Sequence, residues 1–270
     1  MTVPSAQPAA STTEIARRAE AAARIAENAG RSAMAFFEAR DSLVVETKES
    51  AQDFVSRADR EVEEEIRRAV AAEFPEDGLL GEEYGLETGR SDFVWVIDPI
   101  DGTAAFVSGQ ANWCISIAVK GPDGVVIGVI AAPVFGETFF AVRGGGATLN
   151  GRPIAVDPKA SLTSGNVAFG ATQKSPAATS AAFVQRLYEE GGVLFRIGSG
   201  ALMLAYVASA RLAGYYDPYI NAWDCYAGIV LVEEAGGAVD FRGSDDMMTG
   251  GPLYAGTAFV TRELRRLAEG

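Results

Sequence analysis

Between Glu14 and about Arg40, small and apolar side chains recur at Ile15, Ala19, Ala22, Ile25, Ala29, Ala33 and Phe37. That spacing marks one face of a long amphipathic helix, with Thr12 or Thr13 as its N-cap. Leu43-Val44-Val45 follows as a short strand pattern. A second helix is predicted over Asp59 to Phe74. Val62, Ile66, Ala69 and Val70 share one face, Glu and Arg occupy the other, and Pro75 ends it. Then the period changes. Phe93–Ile97, Ile115–Val119, Val125–Ala131 and Thr138–Val142 read as strands separated by Gly, Pro and Asp turns, among them Gly121-Pro-Asp-Gly124 and Gly144-Gly-Gly146. The second half alternates. A strand over Asn166–Phe169 precedes a helix over Ala177–Glu190. A strand over Val193–Arg196 precedes a helix over Ser199–Ala210, and a strand over Gly214–Tyr216 precedes a helix over Cys225–Ala235 closed by Gly236-Gly237. A strand over Leu253–Val260 and a helix from Thr261 finish the chain. There is no internal repeat and no linker-like stretch.

With 270 residues, 48% apolar and 22% charged, the chain can bury a sizeable core. The expected organisation is a flexible tail over 1–13, an N-terminal α+β subdomain over 14–150 and a C-terminal α/β subdomain over 151–270 sharing one interface. The tail is rich in Ala, Ser, Thr and Pro and lacks the basic start and apolar core of a signal peptide. No apolar run is long enough to span a bilayer. A net charge of −13 argues against nucleic acid and anionic membranes as partners. Only two cysteines, Cys114 and Cys225, are present and no CxxC, which points to a reducing, cytoplasmic setting. The chain has no histidine at all. Ser-His and Cys-His catalysis, His-ligated zinc and any His general base are therefore excluded.

Chemistry has to come from oxygen. Three acidic segments stand out: Gly81-Glu82-Glu83-Tyr84-Gly85, Trp95-Val-Ile-Asp98-Pro99-Ile100-Asp101-Gly102-Thr103, and Ala222-Trp223-Asp224. Each also has an ordinary reading. Asp-Pro and Asp-Gly are turn dipeptides, Glu82-Glu83 is a solvated loop, and Asp224 is a helix cap. Together, in a chain without other catalytic residue types, they favour a site. Clustered carboxylates repel and are costly to desolvate unless a cation neutralises them, and hard oxygen donors select Mg²⁺, Mn²⁺ or Ca²⁺. Gly102 allows close approach to a ligand. A helix beginning near Thr103 would aim its free N–H groups at a phosphate.

These segments, with Ala227-Gly228 and Glu234-Ala-Gly-Gly237, resemble the inositol monophosphatase family from about Ile15 to the C-terminus. The resemblance implies a layered αβαβα sandwich of the sugar-phosphatase type, an α+β fold. It implies hydrolysis of a small-molecule phosphate monoester with two or three Mg²⁺ ions, or Mn²⁺ in their place, and a homodimer. Carried over by position, Glu82, Asp98 and the Ile100 carbonyl hold one metal. Asp98, Asp101 and Asp224 hold a second, and Glu82 with waters holds a weaker third. Glu82 and Thr103 orient the attacking water. Asp98, Ile100, Asp101, Gly102, Thr103, Asp217 and Asp224 surround the substrate, Gly102 and Thr103 through phosphate-binding amides. Lys48, Asp53, Ser56 and Asp59 resemble the family's Lys–Asp–(Ser/Thr)–Asp stretch, from which Lys48 and Asp59 would support the metal site.

The implied reaction is direct in-line attack of water without a phosphoenzyme. Inositol-1-phosphate or a similar polyol monophosphate is the expected substrate, because Asp217 stands where inositol-type enzymes carry a substrate-binding Glu. Histidinol phosphate is the alternative, since the same acid suits a cationic amine. Arg196 and Ser199 lie in the segment the family places beside the leaving group. A non-catalytic phosphate-binding regulator is the reading from another class; it would be expected to have lost a ligand or the Glu82–Thr103 pair.

Overall fold

The computed structural model describes residues 12–40, 45–47, 54–172 and 174–270, without side chains for 45–47 and 54–56. Along the chain run α1 (Thr12–Glu38), β1 (Val45–Thr47), β2 (Phe54–Ser56), α2 (Arg57–Glu73), β3 (Gly78–Gly81), β4 (Gly85–Glu87), β5 (Val94–Asp101) and α3 (Thr103–Val107). Then come β6 (Cys114–Gly121), β7 (Gly124–Ala132), β8 (Glu137–Val142), β9 (Gly146–Leu149) and β10 (Arg152–Pro153). The remainder is β11 (Asn166–Phe169), α4 (Ala177–Glu189), β12 (Val193–Phe195), α5 (Gly200–Ala208), β13 (Gly214–Ile220), α6 (Ala222–Glu234), β14 (Ala238–Phe241), β15 (Gly251–Gly256) and α7 (Ala258–Glu269).

Helix composition sorts the layers. On α1 and α2 only one stripe is buried, through Ala22, Ile25, Ala26, Val62 and Ile66 among others. These two helices cover one face of an eight-stranded sheet ordered β10-β9-β8-β7-β6-β5-β3-β4. By contrast α5 and α6 are apolar almost all round, as helices packed on two sides must be. They fill the space between that sheet and a five-stranded one ordered β12-β11-β13-β15-β14, whose far face carries α4 and α7. The result is the αβαβα layering that the family resemblance implied. One apolar core lies under α1 and α2, a second surrounds α5 and α6 between the two sheets, and a third lies under α4 and α7. Among the described residues no helix is long and apolar enough to cross a membrane.

Most elements fall where the apolar period puts them, with some corrections. The last strand stops at Gly256 rather than Val260, because Thr257 caps α7 by accepting the Val260 N–H at 3.2 Å. Val260 belongs to the buried face of that helix. Helix α6 starts three residues before Cys225, because Asn221 and Asp224 cap it reciprocally. Strands β3, β4, β9, β10 and β14 are too short to show a period. Of the tail expected over 1–13, Thr12 and Thr13 belong to α1, and Met1 to Ser11 lie outside the described residues. So do Leu43 and Val44 of the first strand pattern, whose Val45 opens β1.

Candidate functional site

Strand β5 runs through the middle of the large sheet and delivers the central acids. Residues three apart on a regular strand point to opposite faces. Here the register against β6 slips between Asp98, opposite Ser116, and Asp101, opposite Cys114. Three steps on β5 thus match two on β6, a bulge, at Pro99, which has no N–H to lose from the ladder. The bulge turns Ile100 into the core under α1 and α2 and frees Asp101 to bond α5 on the opposite side of the sheet. The Ile100 N–H closes the turn by donating to Asp98 Oδ1 at 2.9 Å.

Two other elements bring acids to the same end of β5. Glu82 directly follows β3, which pairs in parallel with β5 as far as Gly81 opposite Ile97. Asp224 sits in the first turn of α6, anchored to β6 by the Ser116 hydroxyl donating to the Trp223 carbonyl at 3.0 Å. Asp224 Oδ2 accepts from the N–H and the side-chain amide of Asn221, at 3.2 and 3.1 Å. The capping role read from the sequence and a place in the acid cluster therefore coincide in this residue. Carboxylate oxygens of Glu82, Asp98 and Asp224 all lie within 4.8 Å of one another. Burial first, and then the facing carboxylates, push Asp98 and Asp224 well above the usual range. A trio of hard, mutually repelling oxygen donors, with Asp98 buried and Glu82 and Asp224 half-buried, fits a divalent cation such as Mg²⁺ or Mn²⁺.

Asp101 lies beside that trio and is bonded to a different element. Its Oδ2 accepts from the Ser199 hydroxyl at 2.6 Å and the Ala201 N–H at 2.7 Å, and its Oδ1 from the Gly200 N–H at 3.2 Å. Burial raises its pKa to about 6 against the pull of these donors. Glu82, Asp98 and Asp224 form the tightest grouping, and Asp101, bonded to the N-terminus of α5, lies close enough to both Asp98 and Asp224 to raise them.

Gly102 follows with φ 96° and ψ 37° at the start of α3, and no side chain caps that helix. A Cβ there would lie 2.8 Å from the Asn112 carbonyl oxygen, so glycine is required on both counts. The Thr103 hydroxyl lies 3.1 Å from Asp59 Oδ1 and 3.1 Å from the Ile100 carbonyl oxygen. Asp59 is buried on α2. On the other side, Asp217 of β13 is buried, with Oδ2 accepting from the Tyr215 hydroxyl at 2.8 Å and Oδ1 from the Tyr219 N–H at 2.9 Å. Burial raises it to about 7, while Arg196 pulls it down and Asp101 pushes it up. Arg196 is exposed and donates to the Ala171 carbonyl at 3.0 Å.

With this arrangement in place, the chain matches the sequence profile described as the inositol monophosphatase family over residues 13–269. The chain belongs to that family. The Nus factor SuhB of Haemophilus influenzae is 36% identical over 90% of this chain and 92% of its own length. The histidinol-phosphatase of Chlorobaculum parvum is 34% identical over 90% of this chain and 93% of its own. Among solved structures, the IMPase of Thermotoga maritima superposes with a TM-score of 0.83 at 30% identity, covering 94% of this chain and 97% of that one.

Of the family positions carried over by sequence, Glu82, Asp98, Ile100, Asp101, Gly102, Thr103 and Asp224 gather at the end of β5. Asp59 joins them through Thr103, and Asp217 approaches from the second sheet. Lys48 and Asp53 lie outside the described residues, and the side chain of Ser56 is not described. Sequence reasoning missed Glu63. It reads as part of the solvated face of α2, yet it is fully buried and accepts from the N–H groups of Glu83 and Tyr84 at 2.8 and 3.2 Å. The available signal was Arg67, four residues on and correctly spaced to pair with it.

Proposed function

We propose that this family member is a divalent-metal-dependent phosphate monoester hydrolase acting on inositol-1-phosphate or a similar polyol monophosphate. The observation that carries the reading is the meeting of Glu82, Asp98 and Asp224 oxygens within 4.8 Å of one another, next to the Gly102–Thr103 turn. Cations bound by these oxygens would neutralise the phosphate and lower the pKa of water, which is how a chain without histidine can hydrolyse an ester at neutral pH. The remaining work falls to the protein's own groups. The N–H groups of Gly102 and Thr103 hold phosphate oxygens at the start of α3. The Thr103 hydroxyl, between Asp59 and the Ile100 carbonyl, fixes the direction of attack together with Glu82. Asp59 is placed to accept the proton that Thr103 relays. Phosphoryl transfer asks mainly for positioning and charge neutralisation, and this set offers both without a phosphoenzyme.

The leaving-group side is lined by Asp217, with Arg196 nearby. Asp217 supports a polyol, whose hydroxyls it can hold. The same acid favours a second reading, an amino-alcohol phosphate such as histidinol phosphate, because its anionic form suits a cation. A non-catalytic regulator is disfavoured because the acid trio and Thr103 are all in place. A homodimer in the cytoplasm accompanies the enzymatic reading.

The test is phosphate release from a panel of monoesters with and without Mg²⁺. Inositol-1-phosphate turnover should require Mg²⁺ and should fall by about a hundredfold or more in Asp98→Asn, since a metal-binding charge is lost. Turnover of histidinol phosphate alone would replace the polyol reading, and no release from any ester would favour the regulator.

A further inference from the structure

We infer that Glu63 is a positioning residue that aims Glu82 into the acid cluster, and that α2 holds the two sides of the site at a fixed separation. The inference rests on the metal-dependent reading above and goes beyond it, from the acid cluster to the backbone turn that carries Glu82.

A fully buried carboxylate is expensive unless it is paired and hydrogen-bonded. Glu63 is both. Its Oε1 accepts from Arg67 Nε at 2.8 Å, one helical turn on. Its Oε2 accepts from the Glu83 N–H at 2.8 Å, and the Tyr84 N–H reaches Oε1 at 3.2 Å. The Glu83 N–H belongs to the peptide plane that leaves the Glu82 Cα. With Gly81 held in β3 on the other side of Glu82, fixing that plane fixes the direction in which the Glu82 side chain departs. Arg67 grips the other end of the turn, with Nη2 donating to the Gly85 carbonyl at 2.6 Å. An apolar side chain at position 63 could fill the volume but could not accept two successive N–H groups.

Gly81 carries an independent mark of the same device. Its φ is not in the left-handed region, so backbone freedom does not explain it. A Cβ at position 81 would collide with the Glu63 carboxylate. The glycine immediately before Glu82 therefore makes room for Glu63.

Asp59 lies four residues before Glu63 on the same face of α2, and both are buried. Asp59 reaches Thr103 at 3.1 Å, and Glu63 reaches the turn that carries Glu82. Just over one turn of a rigid helix, about 6 Å of rise, spaces the two groups that the proposed reaction uses to direct water.

The test uses full-length protein freed of metal, titrated with Mn²⁺ by calorimetry and examined by hydrogen exchange over residues 82–87. Outer contacts of this kind are typically worth about 10–100-fold in metal affinity. Glu63→Ala should weaken Mn²⁺ binding by about tenfold or more and speed exchange at the 83 and 84 amides before any metal is added. Glu63→Gln keeps one acceptor and should recover most of the affinity while remaining about threefold weaker than wild type. That partial rescue is not expected of a residue that only fills space. Should Glu63→Ala fail to fold, the Glu63→Gln deficit and its faster exchange carry the test alone. Wild-type affinity together with wild-type exchange in the folded variant overturns the inference and leaves the hydrolase reading standing. A wild-type protein that binds no Mn²⁺ overturns both.

Discussion

Asp98, Asp101 and Asp217 are chemically the same residue in three different settings. Asp98 faces other acids, Asp101 faces the donors of a helix N-terminus, and Asp217 is enclosed with a phenol hydroxyl and one N–H. The last has a consequence that can be measured without substrate. Its pKa in the fold is about 7, against an ordinary 3.8, because burial disfavours the anion. A carboxyl raised in this way supports folding in its neutral form. Its contribution is complete below about pH 4 and is lost as pH rises to about 7. Asp217→Asn keeps a neutral acceptor and removes the titration. Urea unfolding without added metal should therefore show the variant gaining on wild type between pH 4 and 7, by at most about 1.4 kcal/mol per pH unit. Parallel stability curves for the two proteins would show that the folded state does not favour the neutral acid.

At the level of elements, the site depends on how helix starts meet strand ends. The start of α5 faces Asp101, and Ser199 serves both. Its hydroxyl donates to Asp101 Oδ2 at 2.6 Å and accepts from the Leu202 N–H at 3.2 Å. Ser199→Ala loses the cap and one buried partner of Asp101 together, and should cost about 1–3 kcal/mol in denaturant unfolding. A loss below about 0.5 kcal/mol, the scale of ordinary surface changes, would mean that the Gly200 and Ala201 amides suffice. Ser199 was visible in the sequence as a residue near the start of a predicted helix, in the segment that the family resemblance places beside the leaving group, and not as a partner of Asp101. Its bond to Asp101 spans 98 residues, and no local period encodes such a contact. The same limit explains the rest of what the sequence left hidden. Long elements such as α1, α2 and β7 announce themselves by repetition. Asp98-Pro-Ile-Asp-Gly-Thr103 announces itself because bulge, bend and acids fall in one short string. Glu63 stayed hidden because a buried charge on an amphipathic helix has the same spacing as a solvated one. Arg67 one turn on is compatible with either, and it is the Gly81 turn on the other side of the contact that distinguishes the two.

For the molecule as a whole, the acid cluster joins layers that otherwise cohere through apolar packing. Asp98 belongs to the large sheet, Glu82 to the turn that directly follows its strand β3, and Asp224 to a helix of the middle layer. In a chain of net charge −13, their repulsion acts across that junction whenever no cation lies between them. Asp98 is held well above the usual range by burial and by Glu82, Asp101 and Asp224. By the sign of that shift, its charged form weakens the metal-free fold increasingly as pH rises above the ordinary carboxylate value. Two effects on thermal unfolding at pH 8 follow. A cation that binds only the native state stabilises it by about 2.7 kcal/mol at a hundredfold excess over Kd. For a chain somewhat longer than 250 residues, each kcal/mol moves Tm by about 2–4 °C, so saturating Mg²⁺ should raise the wild-type Tm by about 5–10 °C over the chelated protein. Asp98→Asn keeps the oxygen that accepts the Ile100 N–H but removes a charge from the cluster. It should melt above chelated wild type and gain little from Mg²⁺. The inactive variant would then be the more stable one when metal is absent, the pattern expected where a strained cluster is kept for binding rather than for folding. If Asp98→Asn instead melts below chelated wild type, the acids are not in conflict in the empty fold. The case for a cation as their common partner would then lose its physical basis.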